Sequence, residues 1–271
     1  IIIINIKIIT YIYLVMSCDD YVICIPSYNR IECLKNKTLN MLEEYNIDKN
    51  KIYIYVVLDE YLDYLKAFPE YRVIMGEKGI TKQRDFIFKH QVNKNVVMID
   101  DDIEKLIEKD NNVIHSYIDL DKIIKLGFSE CDKNNTKLWG IYAVPNPFFM
   151  KNTITSDLKF IVGCLFGVVN NTDNSFMLWN ENDCEDFART LHFYNIYNSV
   201  VRINYIAPKT KYYTEKGGLQ DLYTKEQRIE NETILFKKLA DKYPNFTRLD
   251  KKKNGHSILR LHHYKNEKMK K

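Results

Sequence analysis

The sequence has no C-x-x-C pair, no G-x-G-x-x-G run and no P-loop. Its six cysteines, at 18, 24, 33, 131, 164 and 184, form no paired framework. That argues for a reducing compartment and against structural zinc. Without a glycine fingerprint after a strand, dinucleotide-binding and NTPase readings have little support. Long apolar runs are also lacking. The best candidate, "IIIINIKIITYIYLV", has 15 residues interrupted by Asn5 and Lys7, whereas a membrane span needs about 20. No basic region precedes it, so it does not read as a secretory leader. Met16 is the expected start, residues 1–20 an extension that need not be native, and the protein is expected to be cytoplasmic with no stable membrane insertion. No Pro/Gly/Ser-rich linker and no internal repeat divides the 271 residues. One domain over 21–250 is expected, followed by a basic tail over 251–271.

What is present is ample apolar content, 45%, and charge that is unevenly spread. The net charge is only +4, but from Lys209 onward there are 17 Lys and Arg against 8 Asp and Glu. Such a segment suits a polyanionic partner or is a solvated face. Between Tyr21 and Ile99 apolar runs alternate with helical spacing. Strands are expected at 21–25, 51–58, 71–75 and 95–99, and helices at 32–45, 61–68 and from Thr81, as cap, to about His90. Strand–helix alternation at this spacing predicts an α/β fold with a doubly wound, mainly parallel sheet. Further on, 138–144, 158–169 and 200–207 read as strands, and 181–195 and 224–243 as helices.

Three aspartates, Asp100, Asp101 and Asp102, stand where the fourth strand stops. Adjacent carboxylates repel unless a cation or solvent compensates. Asp100 and Asp102 share a side of an extended chain, which suits two oxygens on Mg²⁺ or Mn²⁺. A solvated turn capping the next helix is the plainer alternative. A dehalogenase-type phosphatase motif would close the first strand and continue Gly-Thr, which this one does not. "IPSYNR" follows the first strand; Pro26 ends it, and Tyr28, Asn29 and Arg30 offer a ring face, an amide and a guanidinium. "GEKGITKQR" places Gly79, Lys82 and Arg84 at a helix start, an arrangement suited to an anion. "NDCEDFART" puts Glu185, Asp186 and Arg189 on another helix start, where one carboxylate can serve as a base. "YYTEKGGLQ" (212–220) holds a Gly-Gly that either lets backbone approach a ligand or turns the chain. His256, His262 and His263 are candidate nitrogen ligands. In open α/β sheets ligands bind beyond the carboxyl ends of strands, so these motifs can face one crevice.

Taken together, "IPSYNR", "GITKQR", "MIDDDI" and "CEDFAR" resemble the motifs of a GT-A (Rossmann-like) glycosyltransferase of the family-2-like kind, over about residues 21–220. "LWGIYAVPNPFFM", "FIVGCLFGVVN", "EDFARTL" and "YYTEKGGLQ" are similar to the TET/JBP-associated glycosyltransferases of phages, giant viruses and kinetoplastids, which include the base J glucosyltransferase. The resemblance implies a nucleotide-sugar donor, most simply a UDP-sugar, and a divalent metal on Asp100 and Asp102. It implies donor contacts from Pro26, Tyr28, Asn29, Arg30, Asp59, Gly79, Lys82, Arg84 and Asp101. Asp186, beside Glu185, would be the base of an inverting transfer. Trp139, Tyr142, Asn146, Gly163 and Arg189 would shape the acceptor pocket. The acceptor implied is a hydroxyl on a hydroxymethylated pyrimidine in DNA. The second strand ends "VVLDEY" instead of the usual Asp-Asp-x-Ser, a departure that bears on Asp59. A protein or glycan acceptor, or a binding module without catalysis, are the alternatives, and the oligomeric state is open.

Overall fold

The first half of the chain builds a parallel sheet from runs that are apolar on both faces. The computed structural model describes residues 20–110, 113–115, 118–171, 179, 181, 183–210, 224–252 and 255–262. Strands β1 (Tyr21–Pro26), β2 (Ile52–Val56), β3 (Arg72–Met75) and β4 (Lys94–Ile99) lie side by side, all parallel, in the order β3-β2-β1-β4. That is the order of the first half of a doubly wound sheet. Side chains alternate between two cores, as a period of two requires. Ile23, Ile25, Ile54, Val56, Val97 and Ile99 enter one cluster with Leu34, Met41 and Leu42 of α1 (31–44), a helix with a π turn at Lys35–Leu39. Val22, Cys24, Tyr53, Tyr55, Val96 and Met98 enter the other, against Ile87 and Phe88 of α3 (Ile80–His90). The short α2 (Tyr61–Ala67) joins β2 to β3.

The second half extends this sheet with mixed polarity. Its elements are β5 (Lys105–Asp110), β6 (Val113–His115), α4 (Leu120–Lys133), β7 (Leu138–Ile141), β8 (Ile154–Thr155) and β9 (Leu165–Asn170). There follow α5 (Glu185–Tyr197), β10 (Val201–Ile203), β11 (Ile206–Lys209), α6 (Lys225–Lys242), β12 (Thr247–Lys251) and β13 (Ser257–Leu261). The eight-stranded sheet runs β3-β2-β1-β4-β9-β7-β10-β8, with β9 antiparallel to both β4 and β7. A three-stranded sheet, β11-β5-β6, and the hairpin β12-β13 stand beside it. The fold is therefore α/β, with a mixed, mainly parallel sheet flanked by helices.

Several expected boundaries shift, each for a visible reason. Residues 158–169 are not one strand; only Leu165–Asn170 pairs in the sheet. Upstream, the Ile161 N–H donates to Thr190 Oγ1 and the Gly163 carbonyl accepts from Arg84, so side chains satisfy this backbone in place of a ladder. The run 200–207 breaks at Asn204, whose side chain bonds Thr153 and Thr155. Thr81 is not the cap of α3: Gly79, at φ 97°, holds that place, and Thr81 donates to the Glu181 carbonyl.

The stretch 105–133, unassigned from sequence, holds β5, β6 and α4, the last capped by Asp119. The stretch from 251 carries part of a hairpin. Residues 257–261 pair with 247–251, and Leu259 packs against Leu235, Phe236 and Leu239 of α6. Residues 1–19, the Gly-Gly segment 212–220 and His263 lie outside the described residues. Among those described, no helix is long and apolar enough to cross a membrane.

Candidate active site at the strand ends

The triple-aspartate turn is pinned by three hydrogen bonds. Thr38, in the π turn of α1, donates its hydroxyl to the Asp100 carbonyl (2.7 Å) and accepts from the Ile103 N–H (3.0 Å). The Asp100 N–H donates to the Cys164 carbonyl (2.9 Å). Within this frame the three carboxylates have different fates. Asp101 turns inward, 4% exposed, accepting from Ser27 Oγ (2.6 Å) and Arg30 Nη1 (2.9 Å). Burial pushes its pKa up to about 6 against the pull of Arg30. Asp102 accepts from Thr210 Oγ1 (3.1 Å) and pairs more loosely with Arg30 (3.3 Å). Asp100 meets Arg84 Nη2 at 2.7 Å, yet 34% of its side chain faces the cavity. Its pKa rises to about 7, first from desolvation among protein walls and then from the neighbouring carboxylates, with Arg84 opposing.

Arg84 links the two acidic motifs. Its Nη2 also donates to the Gly163 carbonyl (2.8 Å), and its Nη1 donates to Glu185 Oε1. The other oxygen of Glu185 accepts from Arg189, whose guanidinium lies 3.6 Å from the Phe166 ring centroid. Arg84, Glu185 and Arg189 are all buried. Burial alone would raise the Glu185 pKa, but Arg189 and Arg84 outweigh it and hold the carboxylate below its ordinary range. A side chain at Gly163 would put its Cβ 3.0 Å from Glu185 Oε1 and 3.3 Å from Arg84 Nη1, so any larger residue presses on this pair.

Asp186 is the differently placed member of its pair. It lies on the cavity wall and accepts the Phe187 N–H (2.9 Å). Burial, then the adjacent Glu185 charge, lifts its pKa to about 6. The residue before this pair, Cys184, caps α5 with φ 59°. A left-handed cysteine is costly, and such backbone concentrates at functional sites.

These groups border a cavity of about 820 Å³, within the range of small-molecule sites. Pro26, Tyr28, Arg30 and the three aspartates border it from the strand ends. Gly79 and Arg84 come from α3 and its approach, and Gly163, Glu185 and Asp186 from the β9 and α5 side. Seven expected site residues stand elsewhere. Trp139 is fully buried, edge-on to Phe128, in a slot bordered by Gly127 and Gly167. Tyr142 packs on Ile107, Met150 and Ala207, with Arg202 over its ring.

Asn146 accepts the Phe148 N–H within its own exposed turn. Arg189 is sealed behind Glu185. Asp59 and Lys82 are exposed off the wall, and Asn29 adopts φ 55° in an exposed turn, its N–H on Glu60. His256 and His262 do not border the cavity either. Arg84 is a wall residue whose Nη1 and Nη2 bond two carboxylates and a carbonyl, while its buried Nε has no hydrogen-bond partner. Arg30 and Asp101 likewise bind each other.

Sequence reasoning passed over Lys78, which lies on the wall with its ammonium 5.2 Å from the Tyr28 ring centroid. It belongs to the same "GEKG" loop, and only the helix start at Ile80 separates it from Lys82. Phe160, Phe187, Phe236, Arg228 and Lys252 were also passed over. The last three depend on tertiary approach of α6 and the hairpin.

Among the described residues no group of three or more His, Cys, Asp or Glu is arranged to hold a metal. Asp100 and Asp102 both border the cavity with carboxylates, which would offer two hard oxygen donors. That donor set fits Mg²⁺ or Mn²⁺, which bind through one or two carboxylates plus water and substrate phosphates.

No family model matches the sequence, and no curated protein matches it. Among solved structures, a glucosyl-3-phosphoglycerate synthase from Mycobacterium tuberculosis, in complex with Mn²⁺, uridine diphosphate and glucosyl-3-phosphoglycerate, superposes with a TM-score of 0.46 at 8% identity. That match covers 90% of this chain and 87% of the other. A 4-diphosphocytidyl-2C-methyl-D-erythritol synthase from Anaerococcus prevotii gives 0.44 at 9% identity, over 80% of this chain and 96% of the other.

Proposed function

We propose that the chain is a metal-dependent GT-A glycosyltransferase, transferring a sugar from a nucleotide donor to an acceptor hydroxyl with inversion. The observation that carries this reading is the junction at Arg84. One guanidinium holds Asp100 of the strand-end triad and Glu185 of the helix-start pair on one cavity. A donor-phosphate end and a proton-accepting end are thereby kept at fixed separation.

In this reading Tyr28 borders the nucleoside and Lys78 meets the diphosphate. Arg30 acts through Asp101 and Asp102, keeping the triad in register. Asp100 and Asp102 would hold a divalent ion, which would supply Lewis-acid stabilisation of charge on the leaving diphosphate. Asp186 accepts the proton of the acceptor hydroxyl on the carboxylate oxygen not engaged by Phe187. The hydroxyl oxygen then bonds to the anomeric carbon as the nucleoside diphosphate departs. A carboxylate with a pKa lifted to about 6 suits that work near neutrality. Glu185, ion-paired twice, positions rather than titrates.

For the acceptor, the motif resemblance and the basic balance after Lys209 support a hydroxymethylated pyrimidine in DNA. The test is a screen of sugar nucleotides with Mn²⁺ or Mg²⁺ for released nucleotide, repeated with 5-hydroxymethylpyrimidine DNA. Metal-dependent release that the DNA accelerates supports the reading. Release without DNA stimulation points to a protein or glycan acceptor. No release from any sugar nucleotide overturns the enzyme.

A further inference from the structure

One carboxylate on the cavity wall has no part in the chemistry at Asp186. Asp183 precedes the cap of α5 and borders the cavity with 5% of its side chain exposed. Its backbone is fixed, because Trp179 Nε1 donates to its carbonyl (3.0 Å). Its carboxylate is not satisfied: Oδ1 is buried and has no hydrogen-bond partner. The ion-pair partner, Arg228 Nε, stands 3.7 Å away, beyond hydrogen-bond length. Arg228 in turn lies 3.9 Å from Glu232, one turn further along α6. Glu232, Lys252 and Ser257 border the same cavity, the last two from the hairpin side.

Ordinary structural roles do not account for Asp183. The cap position of α5 belongs to Cys184, where no side-chain cap bond forms. A purely structural ion pair would close to bonding distance, as Arg84 does with Asp100 at 2.7 Å. A carboxylate oxygen left buried and unpaired is costly, and a donor arriving in the cavity removes that cost. Burial holds the Asp183 pKa above its ordinary value, with Arg228 opposing. The charges around it define what can arrive. Asp183 and Glu232 stand against Arg228 and Lys252, two against two, so the cluster favours neither a phosphate nor a cation. A carboxylate only accepts. The matching group is neutral and carries an O–H or N–H.

We infer that Asp183 is a specificity-determining residue, which accepts a hydrogen bond from a second O–H or N–H of the acceptor, distinct from the hydroxyl that undergoes transfer. The inference rests on the glycosyltransferase reading of the cavity and deepens it. Asp186 takes the reacting proton, and Asp183, three positions earlier on the same wall, holds the acceptor at another point. Two anchored points fix the orientation of a ring that one would leave to rotate. An acceptor without the second donor leaves Asp183 unpaired, and sites built this way reject such analogues strongly. The donor has two chemical sources, a sugar hydroxyl or a heterocyclic ring N–H.

Calorimetric titration of the whole protein with Mn²⁺ and UDP present tests this with probe pairs that differ by one donor. The first pair is 5-hydroxymethyl-2′-deoxyuridine and its N3-methyl derivative. The second set is methyl β-glucoside and its 2-, 3- and 4-deoxy derivatives. In the unaltered protein a parent probe should bind at least tenfold tighter than a derivative lacking one donor, and the set that discriminates identifies the source. Asp183→Ala should reduce that difference to less than about threefold. Asp183→Asn, whose amide oxygen still accepts, should keep part of it, a ranking that a merely structural role would not produce. UDP affinity in both variants is the control for folding. A tenfold difference in neither set, or one that survives Asp183→Ala, overturns the inference. Nucleotide release by the unaltered protein with water as acceptor reports separately on the enzyme reading, so the two can fail independently.

Discussion

Arg84 and Asp100 form a 2.7 Å ion pair whose arginine is buried and whose aspartate opens to the cavity. The same guanidinium binds Glu185 and the Gly163 carbonyl, so a single side chain sets the spacing between both acidic motifs. Arg84→Met would leave Glu185 buried with only Arg189. Breaking a buried pair costs about 3–5 kcal/mol, and chemical denaturation should read a loss of that size. Arg84→Lys keeps the charge but has no planar fork to span three acceptors. It should fold and lose at least tenfold in nucleotide release.

Asp102→Asn keeps the shape of the turn, because its amide oxygen can still accept from Arg30 while its NH2 donates to Thr210 Oγ1, and Asp101 continues to hold Arg30. Mn²⁺-dependent nucleotide release should fall by at least a hundredfold with an unchanged circular dichroism spectrum. Removing metal from the unaltered protein with a chelator should mimic the variant, and added Mn²⁺ should restore only the unaltered protein. Full activity in Asp102→Asn would remove this residue from the metal site.

Asp186 must be deprotonated to accept a proton. With its pKa raised to about 6 by burial and by Glu185, kcat/KM for transfer should climb as pH rises through 6 and level off above it. Asp186→Asn should abolish that limb and the transfer, and leave UDP affinity within a factor of about three. If UDP binding vanishes as well, Asp186 is not simply the base.

Gly163→Ala inserts a methyl beside Arg84 and Glu185. Overpacking of this kind costs about 1–3 kcal/mol. The larger effect should fall on activity, since the displaced pair carries Asp100 with it. A variant with unaltered turnover would show that the junction tolerates movement.

Trp139 provides a contrasting case. Trp139→Ala should cost about 3–5 kcal/mol of stability as a core cavity. Measured by chemical denaturation, the loss should accompany unchanged kcat/KM in the fraction still folded, because the ring never meets the cavity.

The parallel strands were legible because a strand buried on both faces is an unbroken apolar run, and β1, β2 and β4 each read that way. The triple aspartate was legible because nothing apolar explains it. Trp139 and Tyr142 were misplaced because a large aromatic looks the same in sequence whether it fills a core slot or a binding wall. The slot is made by Gly127 and Gly167, which come from different elements. Arg84 was found, but its pairing with Glu185 was not. Spacing places a guanidinium at a helix start, and only the fold brings Glu185, 101 positions away, into its reach. The hairpin was hidden by its own charges: Arg248, Lys251 and Arg260 point to solvent, and only Leu259 and the half-buried Leu261 record the packing.

That hairpin has a consequence for how the protein matures. Ser257 and Ile258 border the cavity, and they leave the ribosome after every strand of the large sheet. A nascent chain can thus complete its sheet and close its buried arginine junction while one side of its cleft is still unbuilt. Competence to hold a ligand arrives as a separate, later event, when the final strand pair docks on α6.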